Sequence, residues 1–192
     1  MENKVQSEGQ EIRVDENKLN RYMEGLRLEQ NFSGAIIGGV IGAVIGAALW
    51  AVITIVTEYQ IGYMAIGVGF ITGLLVRKMG KGLDQVFGVI GAAFALFGCF
   101  IGNYLSIAGL GAKIENISFV ELALNESELI MQVMAEDFGV FDILFYGLAL
   151  YTGYKYAFRD ISDEEVMEAA GIQAEPATEE VSSEEDNPKT LA

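Results

Sequence analysis

An all-α bundle of four membrane-spanning helices is the fold this sequence predicts, and three observations predict it. Apolar residues make up 52% of the 192-residue chain, although it carries 27 acidic and 12 basic residues. Those charges are segregated: Gln30 to Thr57, Tyr59 to Val76 and Gln85 to Ala112 have none, and Ile143 to Phe158 has only Lys155. A hydrocarbon core needs about 20 apolar helical residues, within a range of roughly 17–25. The third observation is the alternation of Lys and Arg from link to link, which sets orientation. Spans are expected at about 33–56, 60–77, 86–109 and 142–158.

The first segment, residues 1–32, is polar and holds Lys4, Arg13, Lys18, Arg21 and Arg27. Leu19, Tyr22, Met23 and Leu26 form an apolar stripe at helical spacing, suited to the inner membrane surface. No cleavable signal pattern is visible, because the first apolar run starts late and is too long for a signal peptide's apolar region. That run is therefore expected to remain as an anchor.

In the first span Gly34, Gly38, Gly42 and Gly46 recur every four residues. Small residues let helix backbones approach where lipid removes the hydrophobic drive to associate. A four-residue step overshoots the 3.6-residue turn by about 40°, which suits a crossed contact of the GxxxG kind. The link "TEYQIG" carries no basic residue, and Tyr59 and Tyr63 mark the outer interface.

The second span offers Gly62, Gly69 and Gly73 and ends in "RKMGKGLD". Its Gly-Lys pair raises the question of a phosphate loop, and the spacing answers against it. Leu75 stands where the first Walker glycine belongs, and Gly82 replaces the hydroxyl residue that holds magnesium. The dinucleotide fingerprint fails as well, with Thr72 at its third small position. Arg77, Lys78 and Lys81 read instead as topogenic charges that meet anionic lipid headgroups.

Along the third span Gly88, Gly91, Ala95, Gly98 and Gly102 alternate steps of three and four. That seven-residue repeat favours a nearly aligned, left-handed contact, a glycine-zipper pattern whose partner helix lies in the same chain or in another copy. Phe87, Phe94, Phe97 and Tyr104 fall mostly off the stripe. Short similarity between "GVIGAVIGA" (39–47) and "GVIGAAFAL" (88–96) fits a hairpin duplication or shared composition alone. Asn103 is the polar residue that most needs a partner on another helix; a substrate contact is the other reading.

The outer segment 113–141 has Lys113 as its single basic residue. "NESELIMQVMAEDF" gives Asn125 as a helix cap with Glu128 at capping-box spacing. Leu129, Ile130, Val133, Met134 and Phe138 follow as an apolar face. Asn116 and Asn125 also begin glycosylation-type sequons. The fourth span ends in Tyr151, Tyr154, Tyr156 and Phe158, an inner aromatic belt, with Lys155 and Arg159. Beyond it, residues 159–192 form an acidic cytoplasmic segment. Its short helix is capped by Ser162 with Glu165 and stopped by Gly171, and a disordered tail follows.

Catalytic and metal chemistry finds little support. Histidine is absent and Cys99 is the only cysteine, so histidine-based triads and paired-cysteine metal sites are unavailable. Acidic residues cluster in links and tail without a spacing that argues a shared site. No enzyme, cofactor, metal site or nucleic-acid partner is expected.

Residues 59–103 contain Gly-Tyr-Met-Ala-Ile-Gly-Val-Gly, then Val-Arg-Lys, Gly-Lys-Gly, Phe-Gly and Gly-Cys. On these motifs the chain resembles an uncharacterised bacterial family of multi-pass membrane proteins, over about residues 35–107. The resemblance implies a bacterial inner-membrane location and brings no catalytic or binding residue. The reading from the sequence is a non-enzymatic interaction or scaffold protein, its partners being the lipid bilayer and a further copy or another membrane protein. A subunit of a small oligomeric channel or transporter is the alternative.

Overall fold

The computed structural model describes residues 4–7, 10–13 and 15–171. The chain divides into two compact units, Met1–Tyr22 with Ile161–Ala192 and Met23–Asp160. In the smaller, the antiparallel strands β1 (Lys4–Ser7) and β2 (Gln10–Arg13) precede the start of α1 (Glu16–Leu28). That hairpin is not anticipated by the sequence reading. The short terminal helix α8 (Asp163–Ala169) also belongs here. Ser162 caps it as expected: Glu165 N donates to Ser162 Oγ (3.2 Å), and Ser162 N to Glu165 Oε2 (3.4 Å). Gly171 stops it with φ +76°, and Asp15 N donates to the Ala170 carbonyl. The expected disordered tail, from residue 172 onward, lies outside the described residues.

The larger unit is all-helical: the end of α1, then α2 (Phe32–Thr57), α3 (Met64–Gly80), α4 (Gln85–Glu115), α5 (Phe119–Asn125), α6 (Ser127–Asp137) and α7 (Val140–Lys155). Of these, α2 and α4 are long and apolar enough to cross a membrane. Helices α2, α3, α4 and α7 pack together, with α2 and α4 running one way and α3 and α7 the other.

Each helix end has a local cause. Asn31 Oδ1 accepts from Gly34 N (2.9 Å), satisfying one of the orphan donors that open α2. Helices α2, α3 and α4 all end on a left-handed residue, Glu58, Lys81 and Asn116 respectively. Asn tolerates that conformation and Glu and Lys do so less readily. Ion pairs engage both of the latter side chains, Glu58 with Lys113 and Lys81 with Glu29.

Element boundaries depart from the sequence reading at the end of the bundle that carries the α2–α3 link and α5 and α6. Helix α4 continues to Glu115 instead of ending near 109, because nothing breaks it before the left-handed Asn116. Residues 60–63 are a link and turn, so α3 starts at Met64. The capping box expected at Asn125 and Glu128 does not form. Asn125 is the last residue of α5, and α6 starts after Glu126 without a side-chain cap. The expected apolar face of α6 is narrower than its periodicity suggests, with Ile130 and Met134 buried while Leu129, Val133 and Phe138 are exposed.

Candidate functional site

The helix contacts inside the bundle are built largely from small side chains, around the larger buried Trp50, Val68, Val76 and Phe87. A Cβ placed on Gly34 or Gly38 would run into the carbonyl oxygens of Met79 and Leu75. On Gly42 it would lie 2.6 Å from Thr72 Cα, and on Gly46 2.8 Å from Val68 Cγ1. This row of α2 thus faces α3 at backbone distance. From the other side of α3, Gly69 meets Ala149 and Thr152 of α7, while Gly73 lies against Gly153 and Tyr156.

The small residues of α4 do not share one partner. Gly88 and Gly91 face the α7 side, against Tyr154, Phe158, Gly153 and Ala157. Gly98 and Gly102 face α2, where a Cβ would sit 3.1 Å from Ala43 Cα and from Trp50 Cβ respectively. Ala35, Ala65, Ala95, Ala149 and Ala157 complete the interior, each without exposed surface. Large side chains point the other way: Ile37, Val40, Val44, Val52 and Val56 on α2 and Val89 and Phe97 on α4 are all exposed.

Asn103 is buried near the end of the bundle that carries α5 and α6. Its Oδ1 accepts from Gln60 Nε2 (3.1 Å), and its Nδ2 donates to Tyr146 Oη (3.5 Å). One carboxamide therefore joins the α2–α3 link to α4 and α7. Neither Gln60 nor Tyr146 stands out in the sequence, since an uncharged polar residue in a link or an apolar run carries no spacing signal. Trp50 Nε1, Thr54 Oγ1 and Thr72 Oγ1 are buried and find no hydrogen-bond partner among the described residues.

At the opposite end, polar residues close over the α3–α4 turn. Gln30 Oε1 accepts from Leu83 N (2.9 Å) and Asp84 N (3.2 Å), and Gln30 Nε2 donates to Asp84. Asn31 N donates to the Gly80 carbonyl, and Arg159 N to that of Gly82, both at 2.8 Å. Glu29 binds Arg159 at 2.9 Å and Lys81 at 3.5 Å, while Arg77 binds Asp160 at 2.9 Å. The hydrogen bond from Arg159, followed by the charge of Lys81, holds the Glu29 carboxyl below its ordinary value of 4.5. Of the three basic residues singled out in this turn, Arg77 and Lys81 are thus ion-paired within the chain. Lys78 is exposed and forms no ion pair among the described residues.

The far ends of α2 and α4 are joined by Glu58 and Lys113, whose hydrogen bond and charge lower the Glu58 carboxyl's pKa. Helices α5 and α6 lie along the last turns of α4. There Tyr104 Oη donates to the Ala123 carbonyl (2.7 Å), and Gly111 leaves room for Leu122. Between α4 and α6 an open groove of about 570 Å³ remains. Ile107, Leu110, Gly111 and Ile114 line it from α4; Val133, Glu136 and Asp137 line it from α6, and Gln60 closes one side.

Among the described residues no group of histidine, cysteine, aspartate or glutamate side chains is arranged to hold a metal ion. No family model, no curated protein and no solved structure matches this chain.

Proposed function

We propose that the chain is a non-enzymatic integral membrane protein of four crossings, an interaction or scaffold component whose close helix packing gives it a rigid body in lipid. The observation that carries the membrane reading is the inverted distribution of side-chain size. Glycine and alanine line most of the helix contacts, around a few larger buried residues (Trp50, Val68, Val76 and Phe87), while Val44 and Val52 are each 58% exposed and Phe97 56%. Soluble monomers rarely expose contiguous apolar patches beyond a few hundred Å². In a bilayer, small residues belong between helices and large aliphatic ones against acyl chains.

Direction supports four crossings over two. By rise alone α2 and α4 measure roughly 39 and 46 Å, against about 30 Å of hydrocarbon, whereas α3 and α7 measure roughly 25 Å. Because α2 and α4 run the same way, a chain that crosses with both must return between them, and α3 is the only helix there. Helix α7 then brings Arg159 back to Gly82 at the end where α4 began. The alternation of basic residues favours that end as cytoplasmic, with Lys78 available to anionic headgroups. The resemblance of residues 59–103 favours a bacterial inner membrane. Asn103 has both its oxygen and its nitrogen engaged inside the chain, which favours a structural role over the lining of a path.

Membrane residence is tested by alkaline carbonate extraction of membranes containing the full chain. Retention in the pellet is expected, and release into the supernatant overturns the reading. The scaffold role requires that liposomes carrying the purified protein show no flux of small ions or solutes above protein-free liposomes. Sustained flux, abolished by Asn103→Leu, would favour the channel alternative.

A further inference from the structure

We propose that the groove between the end of α4 and α6 binds a free amphipathic amine, a molecule with an alkyl or aryl body and a primary or secondary ammonium head. Its volume, about 570 Å³, falls within the range of roughly 300–1,000 Å³ typical of small-molecule sites. Two walls are apolar, Ile107, Leu110 and Ile114 on α4 and Val133 on α6, so they ask for a hydrocarbon body.

The polar lining is selective in a different way: it carries two carboxylates and no cation. Glu136 and Asp137 are adjacent carboxylates without an ion-pair partner among the described residues, and Gln132 Nε2 steadies Glu136 Oε1 from 2.9 Å. Gln60 gives one of its two amide N–H groups to Asn103, and its side-chain carbonyl oxygen accepts no hydrogen bond among the described residues. No cation lines the groove, and Lys113, next to it in sequence, is engaged by Glu58. Two carboxylates and an amide oxygen with no cation beside them are matched by a group that supplies both N–H bonds and positive charge. An alkyl alcohol lacks the charge, a quaternary ammonium lacks the donor, and a carboxylate is repelled.

The groove stands on its lining alone and does not require the membrane reading. On that reading it begins roughly 33 Å along α4 from Gln85, beyond the hydrocarbon depth, so its occupant arrives from water. The test uses the full chain in phosphatidylcholine nanodiscs, titrated with octylammonium by calorimetry, with empty discs subtracted. Failure of the chain to enter discs would overturn the membrane reading alone, and the same titration would then be run in buffer. Saturable binding is expected, weakened at least tenfold in Glu136→Gln/Asp137→Asn and likewise in Leu110→Trp, which fills the groove. Both sites are accessible enough for the variants to fold. Equal binding of octanol or octanoate, or no saturable binding of octylammonium, overturns the proposal. Suppression of binding when phosphatidylethanolamine is added to the discs assigns the groove to a lipid ammonium and overturns the free amine as its occupant.

Discussion

At the residue scale the decisive variable is the distance between backbones. Gly42 leaves no room for a side chain against Thr72, whereas Gly67 and Gly147 would meet nothing within 4 Å. Overpacking a tight interior costs about 1–3 kcal/mol and more where backbone must move. Gly42→Leu should therefore lose about 3 kcal/mol or more in a reversible SDS-unfolding titration, while Gly67→Leu stays within about 0.5 kcal/mol of the parent. Equal costs at both positions would mean that glycine content, not contact, matters. Buried polar groups give a second contrast. Thr72→Val removes a hydroxyl without a partner among the described residues and should stabilise by up to about 1 kcal/mol. Asn103→Leu strands the partner groups of Gln60 and Tyr146 and should cost about 1–3 kcal/mol. The same titration checks both, and Thr72→Val destabilising as much as Asn103→Leu would show the hydroxyl to be bonded after all. The sequence marks the glycines by their spacing and Asn103 by its polarity in an apolar run. It marks neither Gln60 nor Tyr146, because hydrogen-bond partners that lie 43 residues away in either direction leave no periodic trace.

At the element scale, periodicity identifies which face of a helix is small but not which neighbour meets it. The repeat from Gly88 to Gly102 reads as one stripe, yet its first half faces α7 and its second half faces α2. Only topology decides that division, because α7 and α2 both run alongside α4 and each meets a different part of the stripe. The long charge-free runs likewise reveal α2 and α4, whereas α5 remains hidden in a mixed segment where seven residues leave no usable period. The clasp over the α3–α4 turn was legible only as basic charge; its acidic partners Glu29 and Asp160 come from distant elements. That clasp makes a pH prediction. The folded-state pKa of Glu29 lies below its ordinary 4.5, so its contribution is present above that value and is lost as pH falls through the lowered one. Hydrogen exchange at the Leu83 and Arg159 amides, compared with the rate expected for an unprotected amide at each pH, should show declining protection as pH drops below about 4.5. In Glu29→Gln that decline should be absent, and a decline of the same size in both proteins would assign it elsewhere.

At the scale of the whole molecule, direction and side-chain size together constrain how the chain meets a membrane. Among the described residues two helices pass on length and apolarity, but they are parallel, and parallel crossings cannot be consecutive without a return. A bundle whose helix contacts are mostly glycine and alanine, with many large aliphatic side chains exposed, gains less from water-driven collapse than one with a large-residue core. On the proposed membrane reading lipid supplies the missing condition, because each unpaired backbone group there costs several kcal/mol and holds even glycine-rich segments helical. Four crossings place the α3–α4 turn on one side and α6 on the other. Single cysteines at Lys78 and Glu126, introduced into Cys99→Ala, report this directly through an impermeant maleimide. In intact cells Glu126→Cys should label and Lys78→Cys should label only after permeabilisation, which also fixes the α3–α4 turn as cytoplasmic. Reversed accessibility would keep four crossings but invert the protein, against the distribution of its basic residues. Labelling of both from the same side would remove α4 as a crossing, since α4 is the long helix that separates the two positions, and would leave α2 as the one long helix in the bilayer.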